Sequence, residues 1–459
     1  MKGQISEQEL FGRTKIGKML LKIAPPVMLA QLIQALYNIV DSFFVGRYSD
    51  DALTAVTVIY PLQLIIIAVA VGTGVGVNTY MAKKYACDQA EKADKAAGTG
   101  FVLSLISWAI FAVVSVLIMK PYIKTTANEQ GAIDGAYVYG MIVCVGSIGT
   151  FLEGNFSKVH QAHGNMIVPM IAQIAGAVIN IVFDPLLIFG IGFFPELGVA
   201  GAAYATIAGQ IVSAIITGVK GFRKPPKAKE MWHYVKQIYK LGYSNIVMQA
   251  LYTVYIVLLN LILSGFSDAA VTVLGLYYKM QSFFFIPLFG LHTCIVPALS
   301  FNYAQENFVR CRKTIKDTVI ISAAFMVVGM ACFIVIPETL ARLFSTSPEV
   351  ISIGKKAFPI IGSSFISAVF SLTMPVFFQS IGKGFTSLML SLTRQIFLLV
   401  PVFWAFSFIG LDYTWISFPV SETLAGLVGI ILYAVQVKKW KKIQTEKTCV
   451  SVETQATNS

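Results

Sequence analysis

Charge is scarce in this chain: Asp, Glu, Lys and Arg make up 13% of 459 residues, against 56% hydrophobic side chains. That balance excludes a soluble globular protein of this length. No polar stretch between the apolar runs is long enough to form a soluble domain. Four histidines leave little material for a metal centre. His160-x-x-His163 falls on a short turn without a third ligand nearby, which argues against zinc. Cys144, Cys294 and Cys332 lie in apolar runs, Cys87 and Cys311 in loops and Cys449 in the tail, so neither a disulfide framework nor a metal spacing follows. Gly72-Thr73-Gly74-Val75-Gly76 also lies inside an apolar run, where glycine suits close helix packing better than a phosphate loop. The first run, about 19–45, is too long for a signal-peptide core and lacks a small-residue cleavage site.

What the chain has in quantity is apolar sequence in lengths that cross a roughly 30 Å hydrocarbon core. Runs at about 19–45, 52–82, 96–120, 132–155, 165–190, 198–220, 240–264, 269–299, 315–337, 349–379, 385–410 and 414–437 predict an all-α polytopic membrane protein of about twelve transmembrane helices. The net charge of +12 comes from basic residues clustered between runs, so it reports orientation and not nucleic acid. With the N-terminus inside, only Arg47, Lys120, Lys124, Arg342, Lys355 and Lys356 fall outside, and Lys279 and Arg394 fall within spans. Both termini are therefore expected in the cytoplasm of a multi-pass cell-membrane protein.

The longest internal connection, 221–239, divides the chain into halves, and the halves repeat. Ser49-Asp50 returns as Ser267-Asp268, an offset of 267 − 49 = 218. The same register pairs Gln31 with Gln249, Tyr37 with Tyr255, Tyr60 with Tyr278, Gln63 with Gln281 and Gly164 with Gly382. Six spans per half is an even number, so both halves run the same way through the bilayer. This predicts two six-helix lobes, 1–220 and 240–437, related by a pseudo-twofold axis along the membrane normal, with a polar cytoplasmic tail at 438–459 and the substrate path between the lobes.

Against this apolar background a few polar residues stand out. Gln34, Asn38 and Asp41 share one face of the first span, with Tyr37 one turn below Asp41. An acid near the centre of a bilayer costs roughly 2.5–3.5 kcal/mol, so it is expected to face protein or a watery cavity. Counting at 1.5 Å per residue places Asp41, Tyr139, Asn180, Asp184 and Thr206 at similar depths, all in the first half. Their oxygens suit a hard cation such as Na⁺, and protonation of either acid serves H⁺ equally well. Burial and a neighbouring carboxylate both favour the neutral acid, which is expected to raise at least one pKa. The offset puts Leu259 opposite Asp41 and Val402 opposite Asp184, so the acids were not duplicated. The second half carries Lys279 and Glu422 instead, expected to form an ion pair lining the cavity. Arg394 is expected to snorkel to the inner surface, and Glu153 to pair with Lys158. Pro25-Pro26 is expected to bend the first helix below Asp41.

Leu36-Tyr37-Asn38-Ile39-Val40-Asp41, Ala52-Leu53-Thr54-Ala55-Val56, Tyr60-Pro61-Leu62-Gln63, Asn180-Ile181-Val182-Phe183-Asp184-Pro185 and Gly198 to Thr206, in that order, resemble the multidrug and toxic compound extrusion (MATE) family. The acids in the first half resemble its DinF-like branch. The resemblance implies a V of two lobes and cation-driven export of bulky, often cationic and aromatic compounds by alternating access. It also implies Asp41, Asn180, Asp184 and Thr206 as the cation site, Tyr37 and Tyr139 as hydrogen-bonding partners, and Pro26 as the bend. No cofactor beyond the coupling ion, H⁺ or Na⁺, and no catalytic role is implied; the expected partners are small molecules and lipid, with the protein as a monomer. The chain departs from the family at His160-Gln161-Ala162-His163-Gly164-Asn165, where an arginine and an acid before Gly-Asn are more usual. A lipid-linked precursor flippase of the same superfamily predicts an arginine-rich cavity, which two span cations do not supply. An intramembrane aspartyl protease predicts Tyr-Asp and Gly-x-Gly-Asp motifs, and Asp41 and Asp184 follow Val40 and Phe183.

Overall fold

The computed structural model describes residues 7–126, 130–345 and 347–457, and among them all regular structure is helical. Nine helices are each long and apolar enough to cross a membrane, and three bent pairs raise the count to twelve. Spans 1 to 3 are Ile16–Tyr48, Asp50–Ala86 and Ala90–Thr126. Span 4 is the pair Gln130–Val145 and Ile148–Ala162, bent by 40°. Spans 5 to 7 are Ile167–Ile188, Val199–Gly221 and Ala228–Leu263. Span 8 joins Asp268–Phe284 to Ile286–Ala304 at 54°, and span 10 joins Pro348–Gly362 to Phe365–Ser380 at 56°. Span 9 is Phe308–Val335, span 11 runs from Gly384 to Ser407 through a π-helical stretch at Thr393–Leu399, and span 12 is Ser417–Thr457.

Most spans outrun their expected limits. Span 7 starts at Ala228, so only 222–227 of the 221–239 connection lacks helix. Span 12 carries helix through the tail as far as Thr457, and 458–459 and residues 1–6 of the polar head lie outside the described residues. Span 1 continues unbroken through Pro25 and Pro26. The breaks come at 146–147, 285 and 363–364 instead.

The repeat is visible in local chemistry. Ser49 caps span 2 by accepting from the Ala52 N–H at 3.0 Å, and Ser267 caps span 8 by accepting from Ala270 at 3.2 Å, each filling one of the donors a helix start leaves open. Gly164 and Gly382, also 218 apart, turn the chain after spans 4 and 10 at φ +73° and +85°, where a side chain is strained.

The lobes meet on the side carrying the N-terminus, here termed the inner side. A Cβ on Gly72 of span 2 would lie 2.3 Å from Ile246 of span 7, and one on Gly242 would lie 2.4 Å from the Gly72 carbonyl oxygen. Span 8 meets span 1 in the symmetric position, where a Cβ on Gly290 would lie 2.7 Å from Met28 and Cys294 donates to the Ile23 carbonyl at 3.3 Å. Hydrophobic cores cross this seam. Ile16, Met19, Leu20, Ile23 and Val27 of span 1 pack in one core with Leu291, Phe377 and Trp440 of the second lobe. Tyr234, Ile238 and Leu241 of span 7 pack with Val77, Met81 and Ala93 of the first. A short π-helical segment, Gln8–Arg13, straps the seam from below. Phe11 is fully buried and its carbonyl accepts from Asn302 Nδ2 at 3.0 Å and an Arg310 guanidinium nitrogen at 2.7 Å. Toward the outer ends of spans 2 and 7, Tyr60 and Tyr252 are 54% and 37% exposed.

Candidate functional site

Span 5 presents Asp184 and Asn180 one turn apart, both buried, at 0% and 2% exposure. Gly176 and Gly209 let span 6 approach this face closely, since a Cβ on Gly209 would come within 2.5 Å of the Gly176 carbonyl oxygen. That approach delivers Thr206. With its oxygen toward span 6, the Asn180 amide accepts from the Thr206 N–H at 3.3 Å and donates to Asp184 Oδ2 at 3.2 Å, satisfying both its ends. Asp41 of span 1 completes the group, its carboxyl interacting side chain to side chain with that of Asp184. Asp41 Oδ1 is nevertheless buried without a hydrogen-bond partner. Such an atom carries the desolvation cost of an unpaired oxygen unless a proton or cation meets it.

Around this centre stand tyrosines. Tyr139 is buried, its hydroxyl accepting from Gln63 Nε2 at 3.4 Å and lying in reach of Thr206. Tyr37 is half-buried beside Asp41, with Tyr60 and Asp184 in electrostatic range. Gln34 and Asn38 are exposed, and the Asn38 carbonyl accepts from Ser42 Oγ at 2.9 Å. The first-span stripe therefore divides between a part turned to span 5 and a part on the open side. Gln63 was not singled out as a site residue from sequence, although its pairing with Gln281 in the repeat was a signal. Gln281 Nε2 donates to the Tyr277 hydroxyl at 3.1 Å, the same device in the second lobe.

The expected ion pair of the second lobe is wrong in one partner. Glu422 is held by Arg394, with N–O distances of 2.7, 2.9 and 3.0 Å, and Ser371 Oγ donates to it as well. Lys279 is exposed. Arg394 does not snorkel to the inner surface: the π-helical stretch at Thr393–Leu399 places it among the buried residues, where a bidentate contact with a carboxylate satisfies its planar fork. Glu153 and Lys158 stay in electrostatic range of each other without a close ion pair, Glu153 accepting from Ser157 Oγ at 2.5 Å and Lys158 donating to Gln161 at 2.9 Å.

The two histidines expected on a short turn part company, His160 lying inside the helix of span 4 and His163 just after its end. His160 is buried against the Thr217 carbonyl at 2.9 Å. His163 bonds Glu7 at 2.5 Å through Nδ1 and the Tyr85 hydroxyl at 3.1 Å through Nε2. Asp94, accepting from Arg223 Nε at 2.9 Å, closes a network that ties the seam strap to the first lobe. Among the described residues no group of three or more His, Cys, Asp or Glu gathers as a metal would require.

Comparison with known proteins adds an independent line. The family model described as MatE matches residues 26–186 and again 245–404. The two matches begin 219 residues apart (245 against 26) and end 218 apart (404 against 186), the offset of the internal repeat. A probable multidrug resistance protein NorM from Thermotoga maritima is 27% identical over 366 residues, 76% of each chain. A multidrug export protein MepA from Staphylococcus haemolyticus is 22% identical over 430 residues, covering 92% of this chain and 94% of the relative. A MOP-superfamily transporter from Pyrococcus furiosus, whose reversed pocket polarity is described as suggesting a different function, superposes with a TM-score of 0.88. It is 22% identical over 96% of this chain and 100% of its own, a likeness of fold.

Proposed function

The chain belongs to the MatE family, and from that membership we propose that it is a multidrug efflux antiporter of the cell membrane, with both termini in the cytoplasm. It is a transporter and not an enzyme. Its substrates are bulky, often cationic and aromatic small molecules, exported by alternating access and driven by inward H⁺ or Na⁺ flow through the first-lobe carboxylates. The observation that carries this reading is the buried, unpartnered Oδ1 of Asp41 beside Asp184.

Each residue has a part. Asp41 and Asp184 take the proton or sodium ion, and Asn180 and Thr206 hold Asp184 in place. Tyr37 and Tyr139 wall the site, while Pro26, inside a first helix that is continuous in this state, is where that helix would bend as the Asp41 segment moves. An ion entering from the outer side favours one arrangement of the lobes and a drug the other, and only that difference in affinity couples the two flows. The closed inner seam and open outer side are the state in which the ion arrives and the drug leaves.

The test is ethidium efflux from proteoliposomes under separate pH and sodium gradients. Asp41→Asn protein is expected to insert normally and to lose gradient-driven efflux; normal rates from that variant would overturn the assignment. The two gradients, applied singly, identify the ion.

A further inference from the structure

Across the cleft from the carboxylates lies a cluster the proposed coupling does not use. Four tyrosine rings converge on spans 7 and 8: Tyr252 and Tyr255 at 5.5 Å between centroids, Tyr252 and Tyr278 at 6.1 Å, Tyr255 and Tyr278 at 6.2 Å, and Tyr277 and Tyr278 at 5.0 Å. Tyr60 of span 2 extends the series, lying in electrostatic range of both Tyr252 and Tyr37. Tyr60 thus stands between Tyr37, beside Asp41 in the first lobe, and the tyrosine cluster of the second.

Three features set this cluster apart from ordinary core. Tyr60 and Tyr252 are 54% and 37% exposed on the outer side of the seam, whereas Tyr255 and Tyr277 are buried beneath them. The hydroxyl of Tyr278 is buried and turned to that of Tyr255 within the cluster. The charge behind the cluster is neutralised, because both oxygens of Glu422 are occupied by Arg394. A cation in the cleft therefore meets negative ring faces and two acids in the opposite lobe, and the nearest buried positive charge is already paired. The second-lobe positions matching the acids are Leu259 and Val402, so that lobe has no carboxylate of its own to offer at those points.

We propose that Tyr252, Tyr278 and Tyr60, backed by Tyr255, form the seat for the aromatic cationic part of the exported compound, leaving the first-lobe acids to the coupling ion. This rests on the efflux reading above. Ion and drug then occupy different lobes for most of the cycle, and they compete through the arrangement of the lobes as well as by charge.

The experiment is equilibrium ethidium binding, followed by its fluorescence, to purified wild type, Tyr252→Leu, Tyr252→Phe and Tyr60→Leu. Each variant is also assayed for the proton- or sodium-induced change in intrinsic fluorescence. The Leu variants are expected to bind about tenfold more weakly, while Phe, which keeps the ring face, binds within about twofold of wild type. The ion response is expected to be unchanged in all three. Leu variants that bind like wild type would overturn the seat, as would a Phe variant as weak as Leu or a Leu variant that also loses the ion response. Failure of the wild type to move ethidium under either gradient overturns the efflux reading itself, a separate result.

Discussion

Arg394 and Glu422 make a closed charge couple, each less than a tenth exposed. Taking two charges out of water is expensive, and their mutual attraction offsets that cost only while both are present. Glu422→Gln or Arg394→Met alone is expected to destabilise the second lobe by about 3–5 kcal/mol. The double variant Arg394→Met/Glu422→Leu is expected to recover most of that loss. Melting in detergent measures both, and a double variant no better than the singles would show that the couple has a further partner.

The approach of spans 5 and 6 sets the carboxylate site without touching a charge. Gly209→Ala pushes its new carbon against the Gly176 carbonyl oxygen, an overpacking cost of about 1–3 kcal/mol. Thr206 then moves away from Asn180, and gradient-driven efflux is expected to fall although both acids remain. Gly275→Ala is the control, since a Cβ there meets no atom within 4 Å; it is expected to leave melting and efflux unaltered.

The strap across the inner seam is open to a simple probe. Phe11 packs on Phe301 at 5.9 Å between centroids, and Phe11→Ala is expected to cost about 3–5 kcal/mol of docked strap. The buried thiol of Cys294, lying against Ile23 at the seam, becomes the reporter in protein whose other cysteines are replaced by serine. Maleimide labelling of Cys294 is expected to quicken several-fold in Phe11→Ala. An unchanged rate would mean the seam stays shut without the strap.

Acid acts on the same strap. The hydrogen bond to His163 holds the Glu7 carboxyl below its ordinary value of 4.5, against the opposing effect of burial. A carboxyl lowered on docking stabilises the docked form fully above its free value and loses that contribution as pH falls through the docked value. Cys294 labelling, divided at each pH by the rate for a free thiol so that the thiolate fraction cancels, is therefore expected to be flat above about pH 4.5 and to rise below it. Glu7→Gln is expected to remove the dependence.

What was legible in the sequence followed from solvent. Apolar runs bounded by basic loops fixed twelve spans because lipid permits few alternatives, and the offset of 218 survives in the caps at Ser49 and Ser267. The meeting of Asp184, Asn180 and Thr206 was readable too, since helical spacing and depth constrain all three. Partner choice between distant spans was not. Lys279 and Arg394 are both cations in apolar runs, and the rotation of span 11 through its π-helical stretch decides that Arg394 faces Glu422. Nothing in the spacing announces that extra backbone residue per turn. The tyrosine cluster escaped for a related reason: Tyr252 and Tyr255 belong to span 7 and Tyr277 and Tyr278 to span 8, and the way two helices pack is recorded in neither one alone.

The exchange at the inner seam also bears on ancestry. Each lobe borrows the inner half of the other's first helix, span 1 lending to the second core and span 7 to the first. Such a swap closes on itself under twofold symmetry. A forebear made of one half, meeting a copy of itself in the same orientation, had the means to assemble by trading arms. Fusion of two copies would have made that partnership permanent, after which Asp41 and Asp184 could differ from Leu259 and Val402 without either lobe losing its partner.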